Sequence, residues 1–278
     1  MKYGTLLYLD RPENAQTRFS YLCKLGMNAC QLVYKPEVYT TEAAKTIREA
    51  AEDVGIDIMA QFCGFRDSFI SWDMQYDFRN AGINSPQYGA ARMSYLLSAI
   101  PFLGEIGVTD MIIHPGFIPN DPYSEQYALM VSAVGLLSNR LKRVGCNLLF
   151  ETGGESPISL LRLICDVGND NLFVNMDTGN LIMYGFGNPV DALTTYGSYV
   201  RSLHIKDGLP PTIPGKIGPE VAVGNGNVDF PKVIALLKKL HYDRCFIFER
   251  EISGEKQRTD LLAAYSYIRG LWEQNNRE

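Results

Sequence analysis

The stretch from residue 147 to residue 177, NLLFETGGESPISLLRLICDVGNDNLFVNMD, has two short apolar runs on either side of an amphipathic segment. The runs Asn147–Glu151 and Leu172–Asp177 have the length and apolar character of buried strands, and Ser156–Val167 has helical periodicity. This order predicts two neighbouring parallel strands joined by a crossover helix. Each predicted strand ends on a carboxylate, Glu151 in the first and Asp177 in the second.

The same alternation runs along the whole chain. The predicted strands are Gly4–Leu9, Ala29–Tyr34, Asp57–Phe65, Asp110–His114, Asn147–Glu151, Leu172–Asp177, Val200–Lys206 and Arg244–Glu249. The predicted helices include Thr41–Val54, Gly89–Ile106, Tyr127–Val144, Ser156–Val167, Phe230–Leu240 and Gln257–Glu273. Eight strands, each followed by a helix, favour an α/β fold closed into a (β/α)8 TIM barrel. We therefore predict a single TIM-barrel domain over residues 1–278. An open dinucleotide-binding sheet is disfavoured because no G-x-G-x-x-G pattern follows an early strand.

The composition excludes several classes of protein. No apolar run approaches the roughly 18–20 residues that a membrane helix needs, and the first residues lack the pattern of a signal peptide, so we expect a cytoplasmic protein with no membrane partner. The net charge of −5, with acidic and basic residues evenly spread, argues against a nucleic-acid partner. Six cysteines without paired spacing predict buried reduced thiols.

One long segment, residues 66–88, interrupts the regular spacing after the third predicted strand. It contains Trp72, Tyr76 and Phe78. Long irregular loops in compact domains tend to be functional, and this one would lie at the carboxyl-terminal face of the barrel. Its aromatic residues could cover a substrate or simply pack over the barrel mouth, and the sequence leaves both open.

Four predicted strands end on, or close to, a possible metal ligand. These residues are Glu151, Asp177, His204 and Glu249, each after an apolar run. A carboxylate in such a position is expensive to desolvate unless it is paired, hydrogen-bonded or bound to metal. Because the strands converge at one face of the barrel, three negative charges and an imidazole would meet, and a divalent cation resolves their repulsion.

Each of these residues also has a simpler interpretation when it is taken alone. The two glutamates could form salt bridges, Asp177 could cap the following turn, and His204 could be a hydrogen-bonded core residue. Taken together, they predict one site for a divalent ion. The oxygen-rich set suits Mn²⁺ or Mg²⁺, with Zn²⁺ or Co²⁺ possible.

Five segments resemble the xylose isomerase-like sugar phosphate isomerase/epimerase superfamily. They are Phe150-Glu151-Thr152, Met176-Asp177-Thr178-Gly179-Asn180, His204-Ile205-Lys206-Asp207-Gly208, residues 224–230 (GNGNVDF) and Ile247-Phe248-Glu249-Arg250-Glu251. The first half of the chain matches mainly through architecture and Ile113-His114-Pro115-Gly116. The resemblance implies a metal-dependent sugar isomerase or epimerase that works through an enediolate. In its ketose 3-epimerase branch the first and last glutamates bind metal and also move protons, roles that would fall to Glu151 and Glu249. The resemblance also makes a homo-oligomer unsurprising.

The substrate is less well defined than the metal chemistry. Family members often carry histidine three residues after the metal aspartate, where this chain has Asn180. The arginine common after the HxKD-type segment of ketose epimerases is missing, which weakens assignment to free ketoses. We predict substrate contacts for His114, Asn180 and Lys206. A phosphate could bind near Lys206, Lys216 and residues 224–227, although Lys206 could instead pair with Asp207.

Three other functions are related to parts of this pattern. An inosose dehydratase-type lyase would use the same metal and the same proton abstraction, followed by loss of water. An AP endonuclease-like phosphodiesterase is a remote alternative, because that branch assembles three zinc ions and the whole chain has only three histidines. A catalytically inactive barrel is disfavoured by the complete set of four ligands. The expected partner is a small carbohydrate.

Overall fold

The structure is a computed structural model that describes residues 1–65 and 82–274. Its strands are β1 (Lys2–Leu7), β2 (Ala29–Val33), β3 (Asp57–Phe62), β4 (Asp110–Ile113), β5 (Asn147–Glu151), β6 (Leu172–Asp177), β7 (Val200–Ile205), β8 (Asp207–Gly208), β9 (Glu220–Val221) and β10 (Cys245–Phe248). All but β8 and β9 are parallel and close a barrel in the order β1-β10-β7-β6-β5-β4-β3-β2. The predicted (β/α)8 barrel is therefore confirmed.

The helices lie between the strands in sequence. They are α1 (Ala15–Lys24), α2 (Thr41–Val54), α3 (Gly89–Ile106), α4 (Glu125–Lys142), α5 (Pro157–Val167), α6 (Thr178–Met183), α7 (Pro189–Tyr196), α8 (Phe230–Lys239) and α9 (Glu255–Gln274). Side-chain caps define several starts: Thr40, Ser124 and Ser156 each accept a hydrogen bond from a backbone N–H of the first turn. No helix in the described ranges is long and apolar enough to cross a membrane.

The structure corrects some predicted boundaries. The first strand begins two residues earlier than predicted and ends at Leu7, and the third strand stops at Phe62 rather than Phe65. His114 and Lys206 follow their strands instead of ending them. The backbone leaves the barrel wall at these points to form the loops at its carboxyl-terminal face. Of the irregular segment 66–88, residues 66–81 lie outside the described residues.

Three helices of the described residues, α1, α6 and α7, had no predicted bounds. In α1 only Ala15, Phe19 and Leu22 are buried, which is a weak amphipathic signal. All six residues of α6 are buried, so this helix has no polar face to reveal its period. Helix α7, eight residues long, follows α6 after a short turn. In the sequence, the segment that contains both helices resembles a single loop.

All six cysteines are free thiols, as predicted, but two of them, Cys23 and Cys165, are exposed rather than buried. The apolar core is continuous from the barrel wall to the helices around it. A smaller cluster of Ala60, Ile112 and Leu149 packs with Phe62 and Phe173. Polar side chains are also buried on the barrel strands, and they support the candidate site described next.

Candidate metal centre

Glu151, Asp177, His204 and Glu249 lie together at the carboxyl-terminal ends of four adjacent strands. Glu151 and Asp177 are the last residues of β5 and β6, His204 is the penultimate residue of β7, and Glu249 follows β10. The strand register aligns Asp177 with His204. One possible ligand atom from each residue lies within 4.8 Å of the other three. The barrel thus brings all four predicted ligands into one group.

The group brings one imidazole nitrogen and three carboxylate oxygens close together. His204 Nδ1 lies 2.8 Å from Glu151 Oε1, 2.9 Å from Glu249 Oε2 and 4.0 Å from Asp177 Oδ2. Within the described part of the chain, His204 Nδ1, Asp177 Oδ2 and Glu249 Oε2 are buried and have no partner in hydrogen-bond geometry. Buried polar atoms without partners are rare in proteins. Their convergence fits a divalent cation at the point they face.

The other ring nitrogen of His204 is held by an amide across the barrel interior. Gln31 Nε2 donates to Ser202 Oγ at 2.8 Å, which turns Gln31 Oε1 towards His204 Nε2 at 2.7 Å. An amide oxygen only accepts, so His204 Nε2 carries the proton in this bond. In the neutral imidazole the lone pair of Nδ1 then points at the carboxylates. This is the arrangement by which proteins orient a metal-binding histidine.

The pKa values reflect crowding of like charges in a buried place. Burial raises the pKa of Glu151 and of Asp177 above the usual range. Burial alone would lower the pKa of His204, but the charges of Glu151 and Glu249 outweigh it and raise that pKa well above normal. Without a cation, a proton on His204 therefore compensates the carboxylates, and a divalent ion would take over this role.

Asp177 has two roles at once. Its Oδ1 accepts a hydrogen bond from Asn180 N at 2.7 Å and so caps α6, while its Oδ2 faces the other ligands. Thr152 Oγ1 donates to Asp177 O at 3.0 Å and accepts from Asp177 N at 2.9 Å. The capping interpretation and the metal interpretation of Asp177 are thus compatible, because the two oxygens of one carboxylate point in different directions.

Glu151 is oriented from the neighbouring strand. Asn175 Nδ2 donates to Glu151 Oε2, leaving Oε1 to face His204. Sequence reasoning missed Asn175, Gln31 and Ser202. Each of the three is a polar residue within an otherwise apolar strand, and the barrel buries each of them completely or nearly so. This polar interruption is the signal in the sequence that could have identified them.

Lys206 is a second buried cation next to the ligands. Its side chain is 1% exposed, and Nζ donates to Glu251 Oε1 while lying 3.7 Å from Asp177 Oδ2 and 3.9 Å from Glu249 Oε1. Lys206, and then His204, outweigh the effect of burial and lower the pKa of Glu249. Lys206 thus offsets part of the negative charge of the centre.

Asp207 does not pair with Lys206, which corrects one of the predicted alternatives. Its carboxylate accepts four backbone hydrogen bonds, from Gly208 N and Val228 N to Oδ1 and from Gly224 N and Gly226 N to Oδ2, at 2.9–3.2 Å. A Cβ at Gly226 would lie 2.1 Å from Asp207 Oδ1, so only glycine fits there. The N–H groups of Gly224 and Gly226 are therefore already engaged and do not form a phosphate cradle.

A cavity of about 280 Å³ opens above the centre. Glu151 and Glu249 line it, whereas Asp177 and His204 lie behind them, completely buried. Two of the predicted substrate residues, His114 and Asn180, also line the cavity; Lys206 does not. Burial lowers the pKa of His114 to about 4, so this imidazole is neutral at physiological pH.

Glu155, four residues after Glu151, is also buried. It is 4% exposed, and its Oε1 accepts a hydrogen bond from Gly153 N at 3.2 Å. Burial raises the pKa of Glu155 to about 8. This side chain is therefore a neutral carboxylic acid in the folded protein at pH 7.

A closed parallel barrel with three carboxylates and one imidazole at the carboxyl-terminal strand ends defines a TIM barrel with a candidate metal site. The family model described as xylose isomerase-like TIM barrel matches residues 19–269. The chain therefore belongs to the xylose isomerase-like TIM barrel family.

Two relatives are similar in sequence. An uncharacterized protein of Methanocaldococcus jannaschii is 25% identical over 285 residues, covering 96% of this chain and 90% of its own. An inosose dehydratase of Clostridium botulinum is 22% identical over 144 residues, covering 46% of this chain and 48% of its own.

Solved structures extend the similarity in fold. A xylose isomerase domain protein from Planctomyces limnophilus has a TM-score of 0.89 and 29% identity, with 98% of each chain covered. A D-psicose 3-epimerase with D-tagatose from Clostridium cellulolyticum has a TM-score of 0.71 and 15% identity, covering 98% of this chain and 99% of that one. A xylose isomerase-like barrel from Mycobacterium smegmatis, in complex with magnesium, has a TM-score of 0.69 and 17% identity, covering 94% and 89%.

Proposed function

We propose that the protein is a metal-dependent sugar isomerase or epimerase that moves a proton on a carbon next to a carbonyl group. One observation carries this proposal: of the four clustered residues, only Glu151 and Glu249 line the cavity. Two carboxylates facing one space can act as a base and an acid on the same substrate. The similarity in fold to a sugar epimerase supports the same class of reaction.

Glu151, Asp177, His204 and Glu249 would hold the ion. The oxygen-rich donor set suits Mn²⁺ or Mg²⁺, with Zn²⁺ or Co²⁺ as alternatives. When bound, the ion supplies Lewis acidity that stabilises negative charge on substrate oxygens. Asp177 and His204 serve only to hold it, because both are shielded from the cavity.

The two glutamates divide the proton transfer. One carboxylate removes the proton from the carbon beside the substrate carbonyl, and the electron pair left behind forms the enediolate. Return of a proton from the other carboxylate to the opposite face of that carbon inverts it, which is epimerisation. Return of a proton to the former carbonyl carbon, with the neighbouring hydroxyl proton passing to the former carbonyl oxygen, gives isomerisation with the same residues.

Other groups would orient the sugar. His114 is neutral and lines the cavity, so we propose that it exchanges hydrogen bonds with a substrate hydroxyl. Asn180 Nδ2 donates to Thr152 O at 3.0 Å, and its amide oxygen would accept from another hydroxyl. Lys206 is paired with Glu251 outside the cavity lining, so we assign it to charge balance in the centre rather than to direct phosphate binding.

Hydrogen exchange at the substrate carbon tests this proposal. Metal-loaded enzyme is incubated in D2O with a panel of ketoses and ketose phosphates, and mass spectrometry follows deuterium uptake. Glu151→Gln and Glu249→Gln should each slow uptake by about 10²–10⁴-fold, the usual contribution of a general acid or base. Glu105→Gln, which changes an exposed glutamate far from the cavity, is the control. Exchange at the wild-type rate in either site variant would refute the two-glutamate mechanism.

A second candidate is an inosose dehydratase-type lyase. It is favoured by the similarity to the inosose dehydratase of Clostridium botulinum, although that similarity covers less than half of this chain. The same base would remove the proton beside the carbonyl, and the hydroxyl on the next carbon would take a proton from the other carboxylate and leave as water. Incubation with 2-keto-myo-inositol, followed by dione absorbance and a mass loss of one water, distinguishes this reaction from isomerisation.

A further inference from the structure

A second cavity adjoins the one above the candidate metal centre. Its volume is about 410 Å³, and it lies between the end of β1, helix α1 and the start of α9. Both cavities are lined by Leu6, Tyr8, Glu249 and Glu251, so these residues form a common wall. Tyr8 is 52% exposed and the side chain of Glu251 is 58% exposed, so this wall reaches the surface, and a ligand in the first cavity can extend over it into the second.

The charges of this second cavity are not balanced. Three arginines line it, and one of them, Arg250, is neutralised by Glu220 at 2.7 Å and Asp260 at 2.9 Å. The remaining two are Arg18 and Arg258. Arg18 has no ion pair within residues 1–65 and 82–274.

Arg258 is only weakly compensated. It lies 3.1 Å from Glu255, but the two side chains are 48% and 76% exposed, and an exposed pair of this kind contributes little. The two glutamates of the common wall do not compensate it either. Glu251 is bonded to Lys206, and Glu249 belongs to the candidate metal centre. Arg18 and Arg258 thus leave positive charge at one cavity that nearby carboxylates do not fully neutralise. The protein as a whole has a net charge of −5.

We propose that this second cavity binds an anionic group, a phosphate or a carboxylate, on the part of the substrate away from the reacting carbons. This inference rests on the proposed function. The keto group of the sugar would face Glu151 and Glu249, the carbon chain would pass Tyr8, and the anion would meet Arg18 and Arg258. The guanidinium fork suits both phosphate and carboxylate, so the preferred substrates are acidic keto sugars rather than neutral ketoses.

Binding measurements test the anion subsite without requiring turnover. Isothermal titration of the metal-loaded protein compares D-fructose 6-phosphate, the keto-uronate D-fructuronate and neutral D-fructose at low salt. We expect at least one charged probe to bind at least tenfold more tightly than fructose. The double variant Arg18→Met/Arg258→Met should remove most of this preference and leave the affinity for fructose unchanged. Lys24→Met removes one charge from the same helix outside the cavity, and it should change neither affinity.

The outcomes separate the subsite from the proposed reaction. Preference for the phosphate ester over the uronate, or the reverse, identifies which anion the cavity accepts. Equal affinity of the wild type for charged and neutral probes overturns the subsite, as does a preference that survives in the double variant. Failure of deuterium uptake with every sugar would instead refute the proposed reaction, and it would leave a measured anion preference intact.

Discussion

Replacing Asp207 by asparagine should release the loop of residues 208–228 from the barrel. The carboxylate accepts four backbone hydrogen bonds, two on each oxygen, at 2.9–3.2 Å. Asparagine keeps one oxygen and turns an NH2 group towards two N–H donors. The substitution therefore breaks two bonds to a charged group, each worth about 1.5–3 kcal/mol, and leaves the donors without an acceptor. We expect a loss of about 3–6 kcal/mol.

Urea denaturation and hydrogen exchange together measure this effect. The midpoint of unfolding should fall, or, if the loop opens locally, amide protection should disappear at Gly224, Gly226 and Val228. Asp229→Asn is the matched control, because Asp229 accepts from Lys232 N at the start of α8 and asparagine caps a helix equally well. An Asp207→Asn protein with an unchanged midpoint and unchanged protection of these three amides would refute the reasoning.

Two more predictions concern buried charges near the centre. Because the pKa of Glu155 rises to about 8 in the folded protein, its contribution to stability is complete below the unfolded pKa of about 4.5 and declines as the pH rises to 8. The free energy of unfolding of Glu155→Gln, measured in urea, should therefore rise relative to that of the wild type by up to about 1.4 kcal/mol per pH unit between pH 5 and 8. A difference between the two proteins that does not depend on pH would contradict the burial argument. Lys206→Met should destabilise the metal-free protein and tighten Mn²⁺ binding on the order of tenfold, because the ammonium group lies beside two metal-facing carboxylates and competes with the ion. Thermal unfolding with and without Mn²⁺ checks this, and a smaller stabilisation by Mn²⁺ than in the wild type would be the contrary result.

The barrel and the membership of the ligand group could be predicted because both follow from local patterns. Apolar runs that end on Glu151, Asp177 and His204 indicate strands whose last residues face one end of a parallel barrel. Strand ends were less predictable. An apolar residue after the last ladder hydrogen bond, such as Phe65, looks the same in sequence as one within the strand.

The supporting residues could not be predicted because their roles depend on contacts distant in sequence. Gln31 and His204 are 173 residues apart, and no spacing rule relates them. Asp207 looked like a surface partner for the adjacent Lys206, but its acceptors are saturated by amides from 1 to 21 residues further along. Nothing in the local sequence marks Glu155 as buried, because its neighbours are small or polar, and only the fold buries it.

The hydrogen bond between Gln31 and His204 links the two halves of the barrel. The four candidate ligands all come from the second half of the chain, whereas the group that orients the imidazole comes from β2 in the first half. A fragment that begins at β5 would contain every ligand and still lack the group that sets the histidine tautomer. Ion affinity would thus depend on barrel closure, and by thermodynamic linkage a bound ion would stabilise amino-terminal strands that it never touches.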